Sequence, residues 1–332
     1  MKVTINDIAK NCGVSSATVS NALNGTGRVS VSEQKRIVET AAEMGYVRNS
    51  AARMLAKRTS GLIGLFATDT DYLKKSIFFS SLVSELTKFF NQYNYGLLVA
   101  TCGSNGNLLR ANVDVDAIVV INPDNSPEFN RAVLESEVPV VIIGRPFKEE
   151  ESINYVDVDN VSIAYNMTKL LLEKGHRNVA MLCGPEDYTV TQDQLQGYRL
   201  ALEEFGLPFD GELLNFSEYF LDDNVDAFFN LVQKTKCSAL VAASDNLAVS
   251  AVSMLHKMRL NVPKDISVVC LAGTFFSEFY SPKITGVKTV ADKIGKAVSD
   301  KVIKLINKKL IRPTHTIVSY SVFEGESVAK KI

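Results

Sequence analysis

The stretch TINDIAKNCGVSSATVSNALN, residues 4–24, predicts two short helices joined by a tight turn. Thr4 and Asp7 have the spacing of a capping box, in which side chains satisfy the free backbone N–H groups at a helix start. Gly13 interrupts the first helix, and Ser15 is suited to cap a second one. Two helices joined by a turn of about three or four residues that contains glycine form a helix-turn-helix.

The predicted second helix has an apolar face and a polar face. Its apolar residues, Val19, Ala22 and Leu23, have the spacing of a buried helix face. Short donors and acceptors near a helix start suit the major groove of DNA, whereas a solubilising face usually carries lysine and glutamate. On spacing alone, the helix pair could also be a purely structural corner. The outward residues are Ser16, Ala17, Thr18, Ser20 and Asn21.

A third helix and a basic segment follow. Ser30 and Glu33 predict a second capping box, and Gly45 marks the predicted end of the third helix. The next stretch, VRNSAARMLAKRTSG at 47–61, predicts a short helix that buries too little surface to be stable alone. Its basic residues therefore indicate an anionic partner; they are Arg48, Arg53, Lys57 and Arg58.

Charge is distributed unevenly along the chain. The protein has 332 residues and a formal net charge of -1. Residues 1–58 carry nine lysines and arginines against four acidic residues, which leaves a net charge of +5 there and -6 on the remainder. A basic N-terminal part on an acidic body is typical of a module that binds nucleic-acid phosphates.

The sequence does not predict an enzyme, a secreted protein or a membrane protein. Its five cysteines lack the spacing of a disulfide framework or a metal site. No signal-peptide core and no run of about 18 apolar residues occurs. No nucleophile elbow or phosphate-binding loop occurs either, and His176 is expected to complement a helix dipole. We therefore expect a cytoplasmic protein with no catalytic residue, no metal and no cofactor.

From Gly61 onward, short apolar strands alternate with amphipathic helices. Such alternation predicts parallel α/β sheets with right-handed crossovers. There are too many units for one compact sheet, so we predict two lobes with a junction around residues 149–156. Helices are predicted near residues 76–93, 126–136, 160–174, 191–205, 222–234 and 245–258.

These motifs together resemble the lac repressor family of bacterial transcription regulators. The similarity runs from TINDIAKNCGVSSATVSNALNG, AEMGY and NSAARMLA to LLEKGHRNVAMLCGP and LQGYRLALEEFGLPFD. It implies an all-α helix-turn-helix head, a hinge helix and a bilobed body like that of periplasmic binding proteins. The implied domains are residues 1–48 (head), 49–60 (hinge helix and linker) and 61–332 (body). Lobe 1 is expected to hold about 61–155 and 286–318, and lobe 2 about 156–285 and 319–332.

The resemblance implies roles for individual residues in DNA binding. Ser16, Ala17 and Asn21 occupy the base-reading positions. Asn49 begins the hinge helix, and Leu55 is the residue that wedges into the minor groove and bends the duplex. Further DNA contacts are expected for Thr4, Ser15, Thr18, Ser20, Asn24, Arg28 and Arg53.

The resemblance also implies a small-molecule effector in the cleft between the lobes, at the carboxyl ends of the strands. The expected contacts are Phe78, Asn122, Arg145, Gln194, Ser244 and Asp245. This chain departs from the polar pattern of the family at Gly144, Gln194, Ser244 and Ala272. We expect these changes to weaken binding of a typical sugar or purine, although a carbohydrate-related effector stays one candidate.

Three functional hypotheses remain open from the sequence. The first is a repressor that binds double-stranded operator DNA as a homodimer and responds to a small-molecule effector of unknown identity. The second keeps DNA binding but places control with a phosphorylated carrier protein, or has no effector. The third is a sugar-binding transport or sensor protein without DNA function, and the basic head argues against it.

Overall fold

The computed structural model describes most of the chain, in two compact units that divide after Thr59. The N-terminal unit is helical, and the unit from Ser60 onward is an α/β body. None of the described helices is both long and apolar enough to cross a membrane. The described residues are 3–25, 27, 29–46, 59–67, 73–74, 76–101, 114–121, 127–146, 152–217, 225–273, 279–310 and 312–331.

The N-terminal unit contains helices α1 (Ile5–Cys12), α2 (Ser16–Asn24) and α3 (Val31–Glu43). Its core is small, and one fully buried side chain from each helix lies in it. The apolar face predicted for α2 is confirmed, because all three of its residues are buried. The buried residues include Ile8, Val19, Ala22, Leu23 and Ile37.

Capping explains where these helices begin. The Thr4 backbone N–H donates to the Asp7 carboxylate over 2.8 Å, and the Asp7 N–H donates to the Thr4 hydroxyl over 3.4 Å, which confirms the first capping box. At α3 the Glu33 N–H donates to the Ser30 hydroxyl over 3.3 Å. The Glu33 carboxylate accepts a hydrogen bond from Arg36 over 2.7 Å instead of closing a second box. The predicted capping box is therefore wrong in one of its two hydrogen bonds, the one from the Ser30 N–H to the Glu33 carboxylate. The reason is that the Arg36 guanidinium lies one helical turn away and binds that carboxylate instead.

The body has two six-stranded sheets within the described residues, which confirms the prediction of two α/β lobes. The first sheet has the order β11-β5-β4-β3-β1-β2, and all of its neighbours are parallel. Its strands are β1 (Leu62–Ala67), β2 (Gly96–Thr101), β3 (Ala117–Ile121), β4 (Val140–Ile143), β5 (Asn154–Val158) and β11 (His315–Val318).

The second sheet has the order β12-β10-β9-β8-β6-β7 and is parallel except between β10 and β12. Its strands are β6 (Val179–Cys183), β7 (Leu214–Phe216), β8 (Ala239–Ala242), β9 (Ser267–Cys270), β10 (Thr285–Val287) and β12 (Val322–Phe323). Most central strands are buried along their length, as parallel sheets covered on both faces require.

Helices cover both faces of each sheet. The first sheet packs against α4 (Ile77–Gln92) and α10 (Ala291–Ile306) on one face and α5 (Pro127–Leu134) on the other. The second sheet packs against α6 (Asn160–Glu173) and α7 (Thr189–Glu204) on one face. Helices α8 (Val225–Thr235) and α9 (Asp245–Lys257) cover its opposite face.

The chain passes between the two sheets three times. It leaves the first sheet after Val158, returns through α10, and crosses again between β11 and β12. Tyr320 lies on the last crossing, where its hydroxyl is 3.0 Å from the Ser162 hydroxyl and accepts a hydrogen bond from Asn166 over 2.8 Å. These side chains bind the crossing segment to α6.

His176 has a different role from the predicted one. Its imidazole is buried, with Nε2 donating to the Ala329 carbonyl over 3.1 Å and Nδ1 2.9 Å from the Ser238 hydroxyl. Burial lowers the pKa of His176, so the neutral ring is favoured. The ring therefore does not act as a cation at the helix end; it joins that end to the C-terminal segment.

Candidate DNA-binding head and interlobe cavity

The outward face of α2 carries short polar side chains. Ser16, Ala17 and Asn21 are exposed, whereas Thr18 and Ser20 are half-buried. The residues predicted to contact bases therefore share the accessible side of one helix. The face has the chemistry that the major groove requires, because its groups are short and near the helix N-terminus.

Ser15 and Thr4 also have a structural role that the sequence indicated. Ser15 caps α2, since its hydroxyl accepts the Thr18 N–H over 3.1 Å. Thr4 caps α1, and its hydroxyl also donates to the Asp7 carboxylate over 2.7 Å. These hydrogen bonds lower the pKa of Asp7. Thr4 and Ser15 therefore cap the two helices of the helix-turn-helix, and both residues were also predicted to contact DNA.

Gly27 is a residue that the sequence analysis did not connect with this face. It has a φ of +80°, and a Cβ there would lie 2.9 Å from the Asn21 side-chain nitrogen. Glycine at this position therefore leaves room for the Asn21 amide. Several assigned positions lie outside the described residues, or have side chains that do; they are Asn24, Arg28, Asn49, Arg53, Leu55 and Asn122.

A cavity of about 140 Å³ lies between the two lobes of the body. Its lining comes from the carboxyl ends of strands in both sheets, where α/β folds bind their ligands. The first sheet supplies the ends of β3, β4 and β5, and the second supplies the end of β10 and the residues after β8 and β9. The corresponding side chains are Ile121, Ile143, Val158, Ala243, Leu271 and Val287.

Four of the predicted effector residues line this cavity: Phe78, Gln194, Ser244 and Asp245. Ser244 caps α9, and the Asp245 carboxylate, 2% exposed, accepts the backbone N–H of the next residue over 2.9 Å. The Gln194 amide donates to the Ala243 carbonyl over 3.4 Å. Four of the six predicted effector residues therefore lie in the cavity wall, and the polar groups of Gln194, Ser244 and Asp245 each also have an intramolecular partner.

Arg145 lies outside the cavity lining. Its guanidinium pairs with the Asp193 carboxylate through Nη2–Oδ1 at 2.6 Å and Nε–Oδ2 at 3.2 Å. Its carbonyl accepts the Thr189 hydroxyl over 2.6 Å. Arg145 follows β4 of the first lobe, and both partners lie on α7 of the second. Arg145 therefore joins the lobes, and no local sequence pattern marked its two partners.

Asp157 is a cavity residue that the sequence analysis did not assign. Its buried carboxylate accepts the Arg145 N–H over 3.0 Å, the Val158 N–H over 2.7 Å and the Asn160 amide over 3.2 Å. Burial raises the pKa of Asp157 to about 7, and the negative charge of Asp193 adds to the shift. A carboxyl group that titrates near neutrality therefore lies in the cavity wall.

The described residues contain no group of three or more histidine, cysteine, aspartate or glutamate side chains that could hold a metal ion. The two features that the described residues offer for binding are an exposed polar helix face in the head and a cavity between the lobes of the body.

Two protein-family models match the chain. Residues 4–49 match "Bacterial regulatory proteins, lacI family", and residues 168–328 match "Periplasmic binding protein-like domain". The first region contains the α2 face. The second contains all six described strands of the second sheet and helix α9, whose first residues line the cavity.

Proteins similar to this chain include transcription regulators. The regulator CelR of Thermobifida fusca is 28% identical over 98% of both chains, and catabolite control protein A of Priestia megaterium is 27% identical over 86% of this chain and 87% of its own. Among solved structures, a CelR–cellobiose complex superposes with a TM-score of 0.74 at 26% identity over 98% of this chain and all of that one. A lac repressor dimer bound to operator and an anti-inducer has the same fold, with a TM-score of 0.80 at 20% identity over 99% of this chain and all of that one.

Proposed function

Because this chain belongs to the lacI family of bacterial regulatory proteins, we propose that it is a sequence-specific transcription regulator that represses its target as a homodimer. The observation that carries this proposal is the exposed polar face of α2 within a basic helical head. A protein that binds double-stranded operator DNA acts where the bacterial chromosome lies, so we propose that it works in the cytoplasm.

Reading of the operator is proposed to involve base contacts from Ser16, Ala17 and Asn21. Ala17 offers only a methyl group, which suits contact with a thymine methyl. A two-fold dimer reads two half-sites, so the operator is pseudo-palindromic. Leu55 from each hinge is proposed to wedge into the minor groove at the operator centre.

Control is proposed to come from a small-molecule effector in the interlobe cavity. A ligand that contacts both lobes has different affinities for their closed and open arrangements, and it therefore shifts the population between them. If the two arrangements also differ in operator affinity, the two binding events are coupled. The ion pair between Arg145 and Asp193 supports this view, because its contacts depend on how the lobes are arranged.

The test is selection of DNA from a random duplex library by the full-length protein. We expect a pseudo-palindromic sequence to be enriched. Asn21→Ala should relax specificity at one position of each half-site, by roughly 1–3 kcal/mol. Leu55→Ala should weaken binding and reduce bending of the enriched duplex.

The matched control is Lys234→Ala, which removes one exposed positive charge from the body. It should leave both the enriched sequence and the affinity unchanged. A folded protein that enriches no duplex would contradict the proposal and would favour a ligand-binding protein without DNA function.

A further inference from the structure

The wall of the interlobe cavity is mainly apolar. Aliphatic and aromatic side chains reach it from both lobes and from α10, which packs against the first sheet. Gly144 and Ala272 place no polar side-chain atom in the wall. A ligand in this cavity therefore meets hydrocarbon over most of its surface. The bulky apolar side chains of the wall are Phe78, Ile121, Ile143, Val158, Ile163, Val190, Leu271, Val287, Val290 and Ile294.

Several polar side chains of the wall already have partners within the protein. The Ser76 and Ser244 hydroxyls accept backbone N–H groups at the starts of α4 and α9, over 3.1 and 3.3 Å. The Asn160 amide donates to both carboxylate oxygens of Asp157, over 3.2 and 3.3 Å. These bonds hold the wall in shape, and they reduce the number of groups that could bind the many hydroxyls of a sugar.

The charged groups of the wall do not require an ionic ligand. The Asp157 carboxylate accepts two hydrogen bonds from the Asn160 amide and two from backbone N–H groups, which matches its roughly four lone-pair sites. The Asp245 carboxylate also accepts a backbone N–H, over 2.9 Å. Lys288, the one cation among the described wall residues, is exposed, and its ammonium lies 5.9 Å from the ring centroid of Phe323. An anionic ligand would meet no buried cation in the described wall, and an ammonium group would compete with hydrogen bonds that already exist.

Gln194 differs from these polar residues because one end of its amide has no partner. The residue is 3% exposed, and its side-chain nitrogen donates to the Ala243 carbonyl over 3.4 Å. That bond turns the nitrogen towards the protein. Among the described residues, none donates a hydrogen bond to the Gln194 side-chain oxygen. A buried acceptor without a donor costs free energy, and a ligand in the cavity can supply the donor.

The cavity volume limits the ligand to a small molecule. A volume of about 140 Å³ is close to that of apolar protein cavities that hold a single benzene ring. A disaccharide would require the lobes to separate, and its hydroxyls would face aliphatic side chains. Each hydroxyl left without a partner would weaken binding by about tenfold.

We propose, on the basis of the effector role proposed for this cavity above, that its ligand is a small uncharged molecule with an apolar body and one hydrogen-bond donor. The apolar body lies among the aliphatic side chains and against Phe78. The donor, a hydroxyl or an N–H group, binds the side-chain oxygen of Gln194. Burial of apolar surface supplies most of the affinity, and the single hydrogen bond fixes the orientation of the ligand.

The test uses five probes with the full-length protein: phenol, toluene, benzoate, benzylamine and cellobiose. Binding is measured by isothermal titration calorimetry, and thermal unfolding is followed in parallel. Phenol and toluene have nearly the same size, but only phenol has a donor. We expect both to bind, and we expect benzoate, benzylamine and cellobiose to bind at least about tenfold more weakly than phenol, because their charges or hydroxyls lose hydration without new partners.

Two variants locate the binding. Gln194→Met removes the acceptor with a side chain of similar length, so the ratio of phenol affinity to toluene affinity should fall about three- to tenfold. Val190→Phe enlarges a half-buried side chain of the wall and should weaken both probes alike. The matched control is Gln196→Met, which changes an exposed glutamine of the same helix, α7. It should leave the affinity of every probe unchanged.

Tighter binding of benzoate, benzylamine or cellobiose than of phenol would overturn the proposal. So would a folded protein that binds neither phenol nor toluene, or an affinity ratio that Gln194→Met leaves unchanged. Operator affinity, measured on the same preparation by fluorescence anisotropy, separates this failure from failure of the regulator function. A protein that binds operator but neither aromatic probe contradicts only the proposed ligand class, whereas a folded protein that binds no duplex contradicts the regulator function.

Discussion

Arg145 and Asp193 form a two-point ion pair that connects the lobes of the body, with heavy-atom distances of 2.6 and 3.2 Å. The planar guanidinium matches the carboxylate in a way that a lysine ammonium does not. The Asp193 side chain is 12% exposed, so water competes only weakly for this bond. The pair therefore favours the arrangement of the two lobes that is seen in this structure.

The first prediction concerns the energy of this pair. Arg145→Met and Asp193→Asn should each lower the free energy of unfolding of the body by about 1–3 kcal/mol, because each removes one member of a partly buried ion pair. The double variant should lose less than the sum of the two, with a coupling energy of about 1–2 kcal/mol. Urea unfolding followed by circular dichroism measures all three values.

The pair between Lys169 and Glu204 is the control for this experiment. It has a similar Nζ–Oε1 distance of 2.7 Å but joins two helices of the same lobe and is more exposed. Lys169→Met should change stability less than Arg145→Met does, because solvent screens an exposed pair. Equal losses of unfolding free energy in Lys169→Met and Arg145→Met would contradict the prediction, because the interlobe pair would then stabilise the body no more than an exposed pair within one lobe.

The second prediction concerns the pH dependence of stability. The pKa of Asp157 is about 7 in the folded protein because of burial, above its ordinary value near 4. Between these values the folded state holds a proton that the unfolded state has lost. Unfolding free energy should therefore fall as the pH rises from about 4 to 7, by up to about 1.4 kcal/mol per pH unit, and then level off.

Asp157→Asn removes this titrating group and should flatten the fall between pH 5 and 7. Asp159→Asn is the matched control, since Asp159 is exposed and asparagine also caps helices well. Its pH profile should follow that of the parent protein. Parallel slopes for the parent and the Asp157 variant would contradict the prediction.

The third prediction concerns the close contact between α6 and α7. A Cβ at Gly197 would lie 2.1 Å from the Val161 carbonyl oxygen and 2.8 Å from the Tyr165 nitrogen, and both atoms belong to backbone that cannot rotate away. Gly197→Ala should therefore destabilise the body by about 3 kcal/mol or more. Thermal unfolding measures the loss.

Gly211 provides the control for Gly197. A Cβ at Gly211 would meet no atom within 4 Å. Gly211→Ala should change stability by about 0.5 kcal/mol or less. A well-tolerated alanine at Gly197 would mean that the two helices separate more easily than their contact suggests.

The fourth prediction concerns the start of the head. Thr4→Ala removes the hydroxyl that accepts the Asp7 N–H and donates to the Asp7 carboxylate. The head should lose about 1 kcal/mol of stability, seen as faster amide hydrogen exchange in α1 and α2. Thr4→Ser keeps the hydroxyl and should restore slow exchange. Fast exchange in both variants would point to a role for the methyl group instead.

The helices of the head and the alternation of the body could be predicted from the sequence because their causes are local. Gly13 has a φ of +65° after α1, and Ser15 caps α2 two residues later, so neighbouring residues set the turn. Continuous apolar strands such as β3 indicate sheets covered on both faces. These interactions span only a few residues of chain.

The partner of Arg145 and the character of the cavity depended on tertiary structure. Arg145 was predicted to contact an effector, yet its guanidinium pairs with a residue 48 positions away. The sequence did not mark Asp157 as a cavity residue. Only the structure shows that it lines the cavity and that burial there raises its pKa. The spacing of residues in the sequence predicted which helices and strands form. It also predicted that the carboxyl ends of the strands border the cleft between the lobes. The packing of the two lobes decided which side chains face each other there, because those contacts join residues that are far apart along the chain.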